Sequence, residues 1–298
     1  MTDEAPADLP RLVAVVGAGT IGRGVAQSVA ASGVDVVLVD VSQEQLDNAV
    51  AQIRRDLRLQ TMFGAPVADV DVVLGRIQTS TDLQSVAAAG IVVENVTESW
   101  DVKKPLYEQL DPICGVDTML AVNTSAVPIS RVAALVRAPE RVVGMHFMNP
   151  VGLMPVVEVV EGELTSEGTV ARAKTFLRHL SKEAVVVADR PGFITNRVLM
   201  LTINEAIFCV QEGIAGAADV DLMFRGCFGH PMGPLETGDL IGLDTILNSI
   251  MVMYTAFEDE KYRPSPLLEE MVRNGTLGRK TGEGFYNYGG IHQHARHT

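Results

Sequence analysis

Leu12-Val13-Ala14-Val15-Val16-Gly17-Ala18-Gly19-Thr20-Ile21-Gly22 is the stretch that decides the fold. Five apolar residues without a polar alternation read as a parallel strand buried on both faces. The glycines at 17, 19 and 22 then write G-x-G-x-x-G, and an Ala/Val-rich helix runs on to about Ser32. Gly17 permits the tight turn, Gly19 lets backbone approach a pyrophosphate, and Gly22 lets helix pack close to strand. Thr20 and Ile21 complete the turn at the helix N-terminus, where free N–H groups and the positive dipole end favour phosphate. The glycine pattern alone is weak. Its setting, after a strand and opening a helix, strengthens it.

Working outward, Val36 to Val39 reads as a second strand ending in Asp40. A carboxylate there can accept a hydrogen bond from a ribose 2′-OH and repels a 2′-phosphate. Val41 and Ser42 follow, with no arginine to hold a phosphate, so the cofactor reads as NAD rather than NADP. Ser42 can cap the next helix, with Gln45 at the capping-box position. Ile91 to Val96, Thr118 to Val122 and Arg141 to His146 read as further short buried strands separated by helices. Alternating strands and helices imply an α/β fold, a Rossmann-type doubly wound sheet.

The character changes at Ala188-Asp189-Arg190-Pro191-Gly192, beyond which strands almost vanish. The chain therefore divides into a cofactor-binding domain over 1–190 and an all-helical domain over 191–298 for substrate and dimerisation. Val198 to Val210 is apolar nearly all round, as in a helix buried on several sides. A second long helix is expected from about Gly242 to Phe257. The excess apolar surface suggests a homodimer.

With 298 residues the chain is long enough for two cores, and 47% hydrophobic with 20% charged residues is ordinary for a globular protein. A net charge of −13 argues against nucleic acid and anionic membrane surfaces as partners. No apolar run reaches the roughly 18–20 residues of a membrane span. Cys114, Cys209 and Cys227 lie at no metal-like spacing, each in an apolar context, and read as buried small hydrophobes. Their odd number, without a signal peptide, suggests reduced thiols in a cytoplasm. The polar first ten residues read as a frayed terminus and the His-containing stretch from Gly289 to His297 as a tail, with no metal site expected.

His146 ends a strand of this sheet, and ligands of open α/β sheets bind outside the carboxyl ends of strands. Glu158 lies within the apolar run Val156-Val157-Glu158-Val159-Val160, where a carboxylate is costly to bury unless something pairs with it. A His–Glu pair answers that cost, orients the imidazole and raises its basicity. A base beside a nicotinamide cofactor is the equipment of an alcohol dehydrogenation.

Further blocks lie in order along the chain: Glu98 with Lys103, Asn123-Thr124-Ser125, His146-Phe147-Met148-Asn149-Pro150, and Pro191-Gly192-Phe193-Ile194-Thr195-Asn196-Arg197. Asn204-Glu205-Ala206, His230-Pro231-Met232-Gly233-Pro234, Gly242-Leu243-Asp244 and Gly278–Tyr286 follow. With the Gly17 turn and Glu158, they make the chain resemble the 3-hydroxyacyl-CoA dehydrogenases, especially the short stand-alone 3-hydroxybutyryl-CoA type, from Gly17 to Tyr288. The resemblance implies that His146 exchanges the 3-hydroxyl proton and Glu158 holds and tunes it. It implies that Ser125 and Asn196 hydrogen-bond the substrate oxygen, and that Glu98 and Lys103 lie near the nicotinamide ribose. Asn123 joins the residues it assigns to the cofactor, and preference for the S alcohol follows from the same source.

Two departures stand out. Met148 replaces the family's usual Phe, a soft change of similar volume. The lysine-rich stretch after the second strand, which in the family helps hold the nucleotide of CoA, here reads Arg54-Arg55-Asp56-Leu57-Arg58-Leu59-Gln60-Thr61-Met62-Phe63-Gly64-Ala65-Pro66, and no lysine precedes Lys103. The thioester carrier is therefore open between CoA and the phosphopantetheine arm of an acyl carrier protein. A family branch that oxidises a glyceryl thioester on such a carrier, for polyketide extender units, resembles this chain at Cys227–His230 and Pro234–Thr237. Two further readings are a sugar-acid dehydrogenase like the lens-crystallin-like gulonate enzymes, which share the turn and the His–Glu pair, and a non-catalytic NAD-binding dimer. The second has no need for His146, Glu158, Ser125 and Asn196 together.

Overall fold

In the computed structural model, residues 9–62 and 69–289 are described. They fall into two compact units, Met1–Arg190 and Pro191–Thr298. The first carries β1 (Leu12–Val16), α1 (Thr20–Ala31), β2 (Asp35–Val39), α2 (Gln43–Met62), α3 (Val70–Gly75), β3 (Ile77–Ser80), β4 (Ile91–Glu94) and α4 (Trp100–Ile113). It continues through β5 (Met119–Val122), α5 (Ile129–Ala133), β6 (Val142–His146), β7 (Val156–Glu161), α6 (Glu167–His179) and β8 (Glu183–Ala188).

One eight-stranded sheet runs in the order β3-β2-β1-β4-β5-β6-β7-β8. Strand order reverses between β1 and β4, and a crevice opens outside their carboxyl ends. β1, β4, β5 and β6 are buried throughout or nearly so, as strands covered by helices on both faces must be. The core of this unit stacks Val13, Val15, Val36, Leu38, Ile91 and Val93 of the sheet against helical residues such as Val25, Leu46 and Phe176.

The Rossmann-type sheet is present as expected, with more strands than the expected five. β3, Ile-Gln-Thr-Ser, is too short and polar to read as one. β7 read only as an apolar run, and it is a strand that pairs antiparallel with β6 in an otherwise parallel sheet. β8 is an edge strand whose half-exposed residues mask its pattern. At the start of α2, Ser42 Oγ accepts from Gln45 N at 3.2 Å. The second half of the expected capping box is not made: Ser42 N is held by Asp40 Oδ1 at 3.0 Å, and Gln45 Nε2 points to Ala18 O at 3.5 Å.

The second unit is helical: α7 (Thr195–Gln211), α8 (Ala217–Phe228), α9 (Pro234–Ile241), α10 (Leu243–Phe257) and α11 (Pro266–Arg273). α7 is less enclosed within its unit than its composition implied. Met200, Ile203, Ala206 and Ile207 are buried, while Val198 is 61% exposed, because helices pack against one side of it only.

Two buried carboxylates explain the glycine-rich blocks of this unit. Asp221 accepts from Leu235 N and Glu236 N, both at 2.9 Å, capping α9 from a neighbouring helix, and from Tyr286 Oη at 2.7 Å. Asp239 accepts from Phe285 N, Tyr286 N and Tyr288 Oη, and burial still pushes its carboxyl above the usual range. A Cβ at Gly233 would lie 2.2 Å from Asp221 Cγ, and one at Gly284 would lie 2.1 Å from Asp239 Oδ1. Only glycine leaves room for either carboxylate.

Cys114 is buried, and burial pushes its thiol up to about 11. The expectation of three buried cysteines fails for the others: Cys209 is half-buried and Cys227 is exposed, on the open side of α8. No single helix among the described residues is long and apolar enough to cross a membrane.

Candidate active site

His146 is the last residue of β6 and Glu158 the third of β7. The antiparallel register sets them opposite each other, which sends both side chains to one face. Imidazole Nδ1 lies 2.7 Å from Glu158 Oε2, with His146 5% and Glu158 4% exposed. An ionised carboxylate has no proton to give, so Nδ1 carries the hydrogen of this contact. In the neutral imidazole Nε2 then keeps its lone pair, and Ser125 Oγ lies 2.9 Å from it. A nitrogen that accepts from a serine hydroxyl can take a proton from a substrate alcohol in the same place.

Carboxylates hold the Ser125 loop from both ends. Glu98 Oε1 accepts from Ser125 N at 3.0 Å, Ala126 N at 2.9 Å and Val127 N at 3.2 Å, and from the Thr124 hydroxyl. Asp189 accepts from Ile129 N at 3.1 Å and from Ser130 N and Oγ, each at 2.8 Å. Asn123, at the end of β5, accepts from Phe147 N through Oδ1 at 3.1 Å and so ties the end of β5 to that of β6.

Lys103 lies deeper than a ribose-contacting side chain was expected to. It is 0% exposed, and Nζ spends its protons on Glu94 Oε1 at 2.8 Å, Glu94 Oε2 at 2.9 Å and Asn123 O at 3.1 Å. Glu98 Oε2 is 3.7 Å from the same nitrogen. Tyr107 Oη donates to Glu94 Oε2 at 3.0 Å. Burial pushes the Glu94 carboxyl up against the downward pull of Lys103, and burial together with Glu94 drives the Tyr107 hydroxyl well up. Glu94 and Tyr107 were not singled out from sequence. The signal for Glu94 was present: it ends the apolar run Ile91-Val92-Val93, the same anomaly that marked Glu158.

At the sheet's reversal, Gly17 has φ +94° and a Cβ there would lie 2.7 Å from Asn95 O. At Gly22 a Cβ would lie 1.8 Å from Gly17 O, whereas at Gly19 nothing stands within 4 Å. Two glycines are thus demanded by packing and the third leaves its side of the turn open, as a dinucleotide pyrophosphate requires. Thr20 and Ile21 form the first turn of α1 beside it. Asp40 Oδ2 accepts from Ala18 N at 2.8 Å, so the carboxylate that ends β2 also braces the turn. A cleft of about 1070 Å³ runs past Gly17, Gly19, Asp40, Val41, Leu83 and Val96. These residues fit NAD: an open glycine turn for the pyrophosphate, a carboxylate for the ribose and an apolar slot for the adenine.

Asn196 lies in the second unit, in the first turn of α7. Arg54, Arg55 and Arg58 are exposed on α2, as is its last residue, Met62; Phe63 to Pro66 fall outside the described residues. The expected tail from Gly290 onward and the expected frayed start before Leu9 also lie outside them. No group of three His, Cys, Asp or Glu among the described residues is arranged to hold a metal ion.

The chain is similar to known proteins along nearly its whole length. Residues 12–190 match the family described as 3-hydroxyacyl-CoA dehydrogenase, NAD binding domain, and 192–288 match its C-terminal domain. A probable 3-hydroxybutyryl-CoA dehydrogenase of Deinococcus radiodurans is 45% identical, over 92% of this chain and 99% of that protein. One of Bacillus subtilis is 42% identical, over 93% and 96%. The crystal structure of (S)-3-hydroxybutyryl-CoA dehydrogenase from Ralstonia eutropha superposes with a TM-score of 0.91 at 41% identity, over 94% of this chain and 99% of that one.

Proposed function

Since the chain belongs to the 3-hydroxyacyl-CoA dehydrogenase family, we propose that it interconverts a short (S)-3-hydroxyacyl-CoA, 3-hydroxybutyryl-CoA above all, and its 3-oxo form. It is an NAD-dependent oxidoreductase acting on CH–OH groups. The observation that carries the finer reading is the Ser125–His146–Glu158 relay at the carboxyl end of the sheet that bears the dinucleotide turn.

NAD, when bound, supplies the hydride acceptor. Gly17, Gly19, Thr20, Ile21 and Gly22 would hold its pyrophosphate and Asp40 its adenosine ribose. His146 Nε2 takes the 3-hydroxyl proton in oxidation and returns it in reduction. Glu158 keeps Nδ1 protonated and balances the imidazolium that forms. Ser125 Oγ, already directed at Nε2, holds the substrate oxygen; Asn196 is assigned to that oxygen on the family resemblance alone. Glu98 fixes the Ser125 loop, and Lys103 and Asn123 serve the nicotinamide end through Glu98 and the strand ends rather than by open contact. The homodimer belongs to the same reading: α8 leaves Leu222, Met223 and Phe228 each more than half exposed.

The deciding experiment is oxidation of NADH by the purified protein with acetoacetyl-CoA. Turnover at micromolar substrate is expected. Weak turnover with intact NADH binding would move the thioester from CoA to an acyl carrier protein, with Arg54, Arg55 and Arg58 as its acidic partner's contact.

Asp40→Ala is expected to weaken NADH binding about tenfold or more, the worth of a hydrogen bond to a charged group, and to narrow the NADH-over-NADPH preference. Isothermal titration with both cofactors measures this. An unchanged ratio of the two dissociation constants would remove Asp40 from the ribose.

A further inference from the structure

Lys182 takes no part in the chemistry above, yet it is 8% exposed. Its Nζ donates to Val151 O at 2.5 Å and to Met154 O at 2.8 Å. No carboxylate among the described residues stands within ion-pair distance of it, and burial pulls the amine down from its usual pKa. A buried ammonium with only carbonyl partners is expensive, and carbonyls deprived of that donor would be expensive as well.

Both carbonyls belong to the turn that joins β6 to β7. That turn starts just past His146 and ends just before Glu158. It is closed on itself by Leu153 N and Met154 N donating to Pro150 O at 3.0 and 3.1 Å. Glu183 N donates to Pro155 O at 2.7 Å, fastening the start of β8 to the start of β7 beside the same lysine. Lys182 N is itself held by Leu177 O at 2.9 Å, at the end of α6. On its other side the turn presses on the cofactor helix: a Cβ at Gly24 of α1 would lie 2.9 Å from Val151 Cβ. The turn therefore touches the two things the reaction needs in register, the His–Glu strand pair and the helix that receives the pyrophosphate.

We propose that Lys182 is a positioning residue: its ammonium latches the Pro150–Met154 turn, and through it holds the imidazole of His146 on the carboxylate of Glu158. The latch acts through His146, so its effect on rate rests on the acid/base reading above; its effect on the His–Glu contact does not. Lysine suits the task because one ammonium can satisfy two carbonyls that point to one spot, which no apolar side chain can do.

The test is proton NMR of the low-field Nδ1–H of His146, identified by its absence in His146→Gln. Lys182→Met is expected to shift or broaden that resonance beyond detection and to lower kcat about 10–100-fold, the cost of a small misplacement of a reacting group. KM for NADH should change less than kcat, and Lys182→Arg should recover much of both signals. A folded Lys182→Met variant with an unmoved resonance overturns the latch, even if its melting temperature falls. Should Lys182→Met fail to fold, Lys182→Gln, too short to reach both carbonyls, decides: a resonance unmoved in that variant overturns the proposal. Turnover retained in His146→Ala would sink the acid/base reading instead, and the resonance would still judge the latch.

Discussion

Replacing His146 by Ala lowers kcat by about 10²–10⁴-fold, the range that a positioned general acid–base supplies, and leaves NADH affinity where it was. The separation follows from the structure. His146 sits at the end of β6, whereas the glycine turn follows β1 and the ribose carboxylate ends β2, with β4 and β5 in between. Removing the imidazole also takes the Nδ1 donor away from Glu158, a carboxylate only 4% exposed, and lost hydrogen bonding to a buried charge is costly. The variant therefore loses stability as well as rate. His146→Gln, which keeps a donor toward Oε2, should recover stability without recovering turnover. Stopped-flow rates with acetoacetyl-CoA, alongside NADH titration by fluorescence, read the two effects separately. Substantial turnover in His146→Ala would take the proton-transfer role away from this residue.

Lys103→Met destabilises the first unit by about 3–5 kcal/mol, the cost of leaving one member of a buried ion pair without the other. Glu94 and Lys103 are each 0% exposed, and the lysine holds both carboxylate oxygens and the Asn123 carbonyl. Tyr107 and the Val96 N–H remain as Glu94's donors, but neither carries a charge. Loss of the ammonium also releases the pull on Glu98 that steadies the Ser125 loop. The single tryptophan, Trp100, begins the helix that carries Lys103, so its fluorescence during urea unfolding reports on this unit. Glu94→Gln combined with Lys103→Met should restore much of the loss, since two neutral groups then share the space. A single-variant loss under about 1 kcal/mol, the scale of an exposed pair, would mean that the network is not what holds the strand ends together.

Much of this was legible in the chain because the informative residues break local rules. Gly17, Gly19 and Gly22 in a row of apolar and small residues, and Glu158 inside a valine run, are anomalies with few physical resolutions. Glu94 is an anomaly of the same kind and went unread because its partner, Lys103, was assigned with Glu98 to the nicotinamide ribose. β7's direction was not legible: an apolar run of that length pairs either way, and only the connection through the Pro150–Met154 turn makes it antiparallel. Nor was the work of Glu98 and Asp189, which accept from backbone N–H groups of one loop. Backbone donors carry no sequence signature, so an anchor that binds them looks like any exposed acid. Lys182 was invisible for the same reason, since its acceptors are carbonyls.

The sheet order has a consequence for how such an enzyme can change. β2, which ends in Asp40, and β6, which ends in His146, lie four strand spacings apart, about 19 Å at the usual interval. Side chains farther apart than about 7–10 Å with no shared partner act additively. A lineage can therefore drift from one nicotinamide to the other, or an engineer can force it to, without retuning proton transfer, and the reverse holds as well. The architecture keeps the two traits on separate evolutionary ledgers.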